Sequence, residues 1–215
     1  MKDTLVVIFL VLIWGNFAVK ADGQLKNDIA PTCTASLQDV LSSIRTIDTD
    51  FKQITYTEKG EIIQEVEGHL IAERPGNVSW ITRAPMEQHI ISDNENLWIY
   101  DPDLQQVSIG EFNHELSKNP AILLVGSVDN IELSYNVSCK HSSTNDFLLT
   151  PVATDSLYQK LEMSFINKTP VSMVLSDSLS YRTEIDFIDT RMNQILAQKS
   201  FQFSPPEGVD IIRYK

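Results

Sequence analysis

The stretch AERPGNVSW, residues 72–80, reads as the end of one strand, a tight turn and the start of a second strand. Pro75, Gly76 and Asn77 are turn formers, each for a different backbone reason. The flanks, GHLIA (68–72) and ITRAP (81–85), are largely apolar. Arg74 stands at the junction, two places from Ala72 and four from Leu70 on what would be one strand face. Two roles fit it. An exposed strand-end arginine would make a surface ion pair worth little. An arginine at the rim of an apolar face would offer five donors and no acceptor to whatever covers that face.

Outward from this turn the pattern is one of short strands. Lys59-Gly60 marks a turn before Ile62 to Ala72. Val78 to Thr82 and His89 to Ser92 are strand-like. Asp93 to Asn96 and Asp101 to Asp103 are turns that flank LWIY (97–100), and Gln105 to Ile109 closes the series. Turn signals every ten residues or so predict an antiparallel meander. Strands resume at Asn136 and continue through Phe147–Pro151, Leu161–Ile166, Pro170–Ser176 and Arg182–Ile188, with a last one at Ile195–Phe203. Leu161, Met163 and Phe165 alternate with polar or smaller residues, as do Val171, Met173 and Leu175, so one face is apolar and the other wet.

Two segments read differently. Leu37, Val40, Leu41, Ile44, Ile47, Phe51 and Ile54 fall at helical spacing and predict an amphipathic helix capped by Thr34 or Ser36. At residues 119–126, Asn119 and Pro120 suit the start of a helix and Gly126 the position after its end, around the run AILLV. That helix is apolar all round and has to touch something apolar. A further short helical piece is expected at residues 127–135. The fold class that follows is mainly β with α. An unclosed, half-barrel antiparallel sheet is covered by a lid of short helices over an apolar cavity. The candidate cavity residues are Leu37, Leu41, Ile44, Val78, Trp80, Leu97, Ile122, Leu123 and Leu124. The alternative for each is ordinary core.

The chain has 215 residues, which suits one domain with a sizeable core. Residues 1–21 stand apart: an apolar run from Leu5 to Val19 ends in the small residue Ala21, as in a secretory signal cleaved before Asp22. A retained anchor is the alternative, but the run is short for a membrane span. The single domain is then residues 22–215. Of 17 basic and 29 acidic residues, Lys2, Lys20 and Asp3 lie in the leader, so the mature chain keeps 15 and 28, a formal charge of −13. Such a surface repels nucleic acid and anionic headgroups. Any lipid is handled in a pocket, not on a basic face.

The two cysteines, Cys33 and Cys139, form one disulfide after export or remain two thiols; sequence leaves both open. IAPTC is a poor lipobox, so the chain is not expected to be acylated itself. Asn77, Asn136 and Asn167 begin sequons, which carry meaning only in a eukaryotic secretory pathway. The four histidines, His69, His89, His114 and His141, are not at metal-ligand spacing, and no Cys-x-x-Cys, nucleophile elbow, phosphate loop or dinucleotide fingerprint occurs. No catalytic group, metal or cofactor is expected, although a triad assembled from distant positions leaves no local signature.

The order of the motifs carries a resemblance. An amphipathic N-terminal segment ends in F-K-Q. Then come G-x-L at 68–70, E-R-P-x-x-x-x-W at 73–80, L-W-I-Y-D-P at 97–102 and N-P-A-I-L-L at 119–124. F-L-L-T-P at 147–151 and F-x-F-S-P-P-E-G-V at 201–209 complete the series. This order resembles the LolA family, periplasmic carriers of outer-membrane lipoproteins, over essentially the whole mature chain. The resemblance implies a half-barrel with a helical lid, and acylated lipoproteins as cargo. It implies an ATP-driven inner-membrane transporter as donor and an outer-membrane receptor as acceptor. It implies that Arg74 latches the lid, and that Leu41, Val78 and Leu124 make lid and cavity contacts. Cys33 and Cys139 are outside the family's pattern; if paired, they would tether the segment before the first helix to the strand after the lid. The expected protein is a soluble periplasmic monomer with no nucleic-acid partner. The rival readings are a periplasmic lipid-binding sensor of the same fold, the acylated receptor of the same pathway, and a hydrolase of a hydrophobic substrate.

Overall fold

A computed structural model describes residues 32–111, 123–124, 126, 128–129, 131–140, 145–154 and 156–213. The leader at 1–21, Ile122 and most of the expected helix at 119–126 lie outside the described residues.

Helix α1 (Cys33–Ser42) begins one residue after Thr32, whose side-chain oxygen accepts from the Ala35 N–H at 3.2 Å. The cap is therefore Thr32, not Thr34 or Ser36: Thr32 is the last extended residue, and its hydroxyl reaches the third amide beyond it. The helix also stops early, at Ser42, and β1 (Thr46–Tyr56) follows. Ile44, Ile47, Phe51 and Ile54 satisfy helical spacing, but Ile47, Thr49 and Phe51 are buried at alternate positions of a strand. Thr46, Ile47, Thr49, Ile54 and Thr55 are β-branched and favour the pleat. β1 also gains a ladder on both sides, which a surface helix cannot offer.

Strands β2 (Ile62–Glu73), β3 (Asn77–Thr82), β4 (Gln88–Asp93), β5 (Asn96–Asp101) and β6 (Gln106–Glu111) form the first meander. Strands β7 (Tyr135–Cys139), β8 (Asp146–Pro151), β9 (Tyr158–Ile166), β10 (Thr169–Asp177) and β11 (Arg182–Met192) form the second. β1 joins the two, pairing with β2 on one side and β11 on the other. A short β12 (Asp210–Arg213) runs parallel to β6 at the far edge. The result is one twelve-stranded sheet in the order β12-β6-β5-β4-β3-β2-β1-β11-β10-β9-β8-β7, unclosed because β12 and β7 do not meet.

Residues directly opposite one another across an antiparallel ladder share a face. The pairs Phe51–Gly68, Leu70–Trp80, Ala72–Val78 and Met173–Ile185 define the inner face. On it lie Leu37, Val40 and Leu41 of α1, Ile44 just after it, and Leu124, all in one buried core with those strands. Tyr135 and Tyr158 lie in the same core, and their hydroxyls satisfy each other at 2.6 Å.

The C-terminal segment corrects the expectation of a strand at 195–203. Gln198–Phe201 is a 3-10 turn. Phe201 is buried, and Phe203 packs on Trp98 and Tyr100 at ring-centroid distances of 6.3 and 5.7 Å. Trp98 and Tyr100 point away from the inner face, so this segment shields apolar surface on the back of the sheet instead of pairing with it. In the region of the expected apolar helix, Leu123 and Leu124 lie in a 3-10 turn, and Ile131–Leu133 is a second one. Among the described residues α1 is the one α-helix, so a lid of several helices is not seen there.

Candidate functional site

Arg74 follows the last residue of β2, where the chain enters the Pro75-Gly76 turn. Its backbone N–H donates to the Arg45 carbonyl at 2.9 Å, which aligns the strand end with the α1–β1 junction. The side chain then runs to the edge of the inner face. Nε donates to the Ile44 carbonyl at 2.6 Å, and Nη2 donates to those of Leu41 at 2.7 Å and Leu124 at 3.0 Å. Nη1 donates to the carbonyl of Gly126. Among the described residues every hydrogen-bond partner of the guanidinium is a backbone carbonyl.

The choice of acceptors is chemically sensible. Leu41 O belongs to the last turn of α1, where carbonyls lack intrahelical donors and carry the negative end of the helix dipole. A planar cation with five N–H groups can serve several such oxygens at once; an ammonium could not span them. Burial lowers the pKa of Arg74 from its ordinary value, but an arginine starts so far above neutrality that it stays charged. Arg74 thus joins α1 to the segment at residues 124–126 without a carboxylate.

Beneath this junction the inner face is sealed by apolar side chains. Leu37, Leu41, Ile44 and Leu124 are fully buried, and Val78 and Trp80 nearly so, in one continuous core. Leu123 is half-buried against the same core. Leu97 is buried on the same sheet face as Val78, through the pairing of both with Ser92, but it lies apart from the main core. The structure therefore brings Leu37, Leu41, Ile44, Val78, Trp80 and Leu124 together beneath Arg74.

A cavity of about 480 Å³ opens farther along the inner face, toward the opposite ends of the strands. Val66, Trp80, Ile90, Leu175 and Ile185 line it, with Gln53 and Thr82 among the polar groups at its wall. Trp80 is shared between this cavity and the sealed core. Phe51 stacks on it, tilted, with ring centroids 4.3 Å apart. Gly68 makes that stacking possible. It lies opposite Phe51, whose ring occupies the space a Cβ would take.

Sequence reasoning missed Val66, Leu70, Ile90 and Ile185 as inner-face residues. The signal was there in the alternation Val66, Gly68, Leu70, Ala72, which is period two with glycine at the place of closest approach. The cysteines are joined: a disulfide links Cys33 at the start of α1 to Cys139 at the end of β7, with Cα atoms 5.5 Å apart. Among the described residues no group of three or more His, Cys, Asp or Glu side chains is placed to hold a metal ion.

Comparison with known proteins places these features. Residues 42–204 match the family described as outer membrane lipoprotein carrier protein LolA. An outer-membrane lipoprotein carrier protein of Hahella chejuensis is 43% identical over 181 residues, spanning 83% of this chain and 87% of that one. One from Pseudomonas paraeruginosa is 38% identical over 178 residues, spanning 82% and 86%. The crystal structure of an uncharacterized conserved protein from Thermus thermophilus superposes with a TM-score of 0.50 at 10% identity, over 83% of this chain and 99% of that one. At that identity the superposition speaks for the fold alone. The matched region contains the Arg74 turn, the inner-face strands and the segment that Arg74 binds, and the chain belongs to the LolA family of outer membrane lipoprotein carrier proteins.

Proposed function

We propose that this chain is a periplasmic carrier of acylated lipoproteins. It accepts them as an ATP-driven transporter releases them from the inner membrane, shields their acyl chains on its inner face, and hands them to an outer-membrane receptor. Residues 1–21 are the export signal. Each buried methylene is worth about 0.8 kcal/mol, so a multiply acylated protein carries tens of kcal/mol of membrane anchorage and does not cross an aqueous space bare. ATP is absent outside the inner membrane, so energy enters at loading and delivery runs downhill in affinity.

The observation that carries this reading is the Arg74 fork on four carbonyls above a sealed apolar core. In the empty carrier, α1 and the 123–126 segment fill the inner face and act as a lid, and Arg74 is its latch. Entering acyl chains displace lid side chains and break those bonds. The loaded state is held open at a cost, which favours release to the receptor. Supporting observations are the carrier relatives, the cavity beside Trp80, and the absence of any helix among the described residues long and apolar enough to cross a membrane.

The test is to incubate the purified mature protein with spheroplasts and look for newly made lipoproteins in the soluble fraction. Soluble one-to-one complexes are expected. Lipoproteins that stay on the membrane would overturn the carrier reading; binding of free small lipid alone would favour a sensor.

A further inference from the structure

The two halves of the lid are tied down unequally. α1 is fixed at both ends. The disulfide to Cys139 holds its first residue to β7. Its other end is held by Asn193, just after β11. Asn193 Oδ1 accepts from the Arg45 N–H at 2.8 Å and the Thr46 N–H at 3.4 Å, and Nδ2 donates to the Ser43 carbonyl at 3.0 Å. Its backbone N–H donates to the Thr46 carbonyl at 2.8 Å, and the Thr46 hydroxyl donates to the Gln194 carbonyl at 2.7 Å. Asn193 adopts φ 58°, a left-handed conformation that asparagine tolerates better than most residues. The amide side chain thereby reads both a donor pair and an acceptor on the three-residue link between α1 and β1.

The segment at residues 123–128 is held differently. Its described polar ties run to the lid's other half and the latch: Arg74 to the carbonyls of Leu124 and Gly126, and Gln38 Nε2 to that of Val128 at 3.2 Å. Of these, the Arg74 bonds are the ones that lid opening must break.

The geometry points to Asn193 as a positioning residue that keeps α1 seated, so that the lid opens by departure of the 123–128 segment and not by a swing of α1. This rests on the carrier reading. Asn193 acts through the link it holds: it keeps the Leu41 and Ile44 carbonyls in place, so that Arg74 stays bonded to α1 while releasing the other half. Relatching then needs the return of one segment to a preset arginine, not the reassembly of two mobile parts.

The test is hydrogen exchange by mass spectrometry on the mature, disulfide-intact chain, empty and loaded with a synthetic diacylated-cysteine lipopeptide, the complex being isolated by gel filtration. Loading should accelerate exchange in peptides over residues 123–129 by roughly tenfold or more, while residues 33–43 change by less than about twofold. Asn193→Gly keeps the backbone conformation and its bond to Thr46 but removes the side-chain bonds. In that variant loading should accelerate both regions. Asn193→Asp keeps the acceptor for Arg45 and Thr46 and should restore most of the asymmetry. A merely structural asparagine would lower the melting temperature and raise exchange in the empty protein, yet leave the loading-dependent difference confined to 123–129; that result overturns the inference. So does acceleration of both regions in the wild type. If the lipopeptide does not bind at all, the carrier reading itself fails, which is a separate outcome.

Discussion

Arg74 Nη2 donates to the carbonyl oxygen of Leu124 at 3.0 Å, although 50 residues separate the two. The same nitrogen reaches Leu41, so one side chain closes the gap between α1 and the segment that faces it. Replacing Arg74 with Leu removes all four carbonyl contacts and leaves those buried oxygens without a charged donor. Each unsatisfied buried acceptor costs about 1–3 kcal/mol, which falls on the closed state alone where opening re-exposes the carbonyls to water. The closed lid is then less favoured, loading is easier and release is slower. The expected result is a longer half-life of a bound acylated peptide in transfer to acceptor, by roughly tenfold for each 1.4 kcal/mol lost from the closed state. Arg74→Lys keeps the charge without the fork and should fall between wild type and Arg74→Leu. Unchanged transfer kinetics in Arg74→Leu would refute the latch.

The disulfide closes a long loop, Cys33 to Cys139, separated by 106 positions. On the chain-entropy account a loop of that order contributes at most about 4–5 kcal/mol by restricting the unfolded chain. Reduction, or the double substitution Cys33→Ser with Cys139→Ser, should lower the melting temperature by several degrees. Scanning calorimetry with and without reductant checks this, and the double variant should be insensitive to reductant. The prediction fails if reductant lowers the melting point of wild type and double variant alike.

Much of this architecture can be read from local chemistry. Pro75-Gly76-Asn77 marks its turn, and the flanking alternation places Leu70 and Ala72 on one face, so Arg74 lands at the rim of an apolar surface. The α1–β1 boundary is harder. Ile44, Ile47, Phe51 and Ile54 fit a helical period, and only the pairing of β1 with β2 and β11 decides for the strand. Asn193 shows no local signal at all, because its partners Arg45 and Ser43 lie about 150 residues earlier. The C-terminal segment misleads for a related reason: Phe201 and Phe203 are apolar because they cover the back of β5, not because they alternate in a ladder.

On the outer face, Asp50 pairs with His69 at 2.9 Å and with Arg83 at 3.0 Å. Hydrogen bonding from His69, then from Arg83, holds its carboxyl below the usual aspartate range. A carboxylate depressed in the folded state stabilises the fold above its unfolded pKa, near 3.9, and loses that contribution as pH falls through the lower folded value. Stability should therefore decline between about pH 5 and pH 2 partly through Asp50. In Asp50→Asn this part of the decline should be absent, so the gap in melting temperature between wild type and variant narrows on acidification. A gap that stays constant over that range would show that the pair contributes nothing to the acid limb. The magnitude should be small, because the group is close to solvent.

Gly68 makes the most demanding contact on the inner face. A Cβ there would overlap the ring of Phe51 and the backbone carbonyl oxygen of Ile81. A ring tip can move, but a carbonyl in the β2–β3 ladder moves only with its strand. Gly68→Ala should therefore cost about 1–3 kcal/mol through overpacking, or a fall in melting temperature of about 2–4 °C per kcal/mol for a chain of this size. Combining it with Phe51→Leu frees the ring contact and leaves the carbonyl contact, so part of the loss from Gly68→Ala should be regained, measured against Phe51→Leu alone. The pair also tests how the cavity is built. Phe51 leans on Trp80, which lines the opening of about 480 Å³, so pushing the ring aside should perturb Trp80. Its fluorescence in a variant retaining Trp80 as the only tryptophan should shift in Gly68→Ala and return toward wild type in the double variant. If melting temperature and emission both stay at wild-type values in Gly68→Ala, the close approach of Phe51 to β2 is not what shapes this wall.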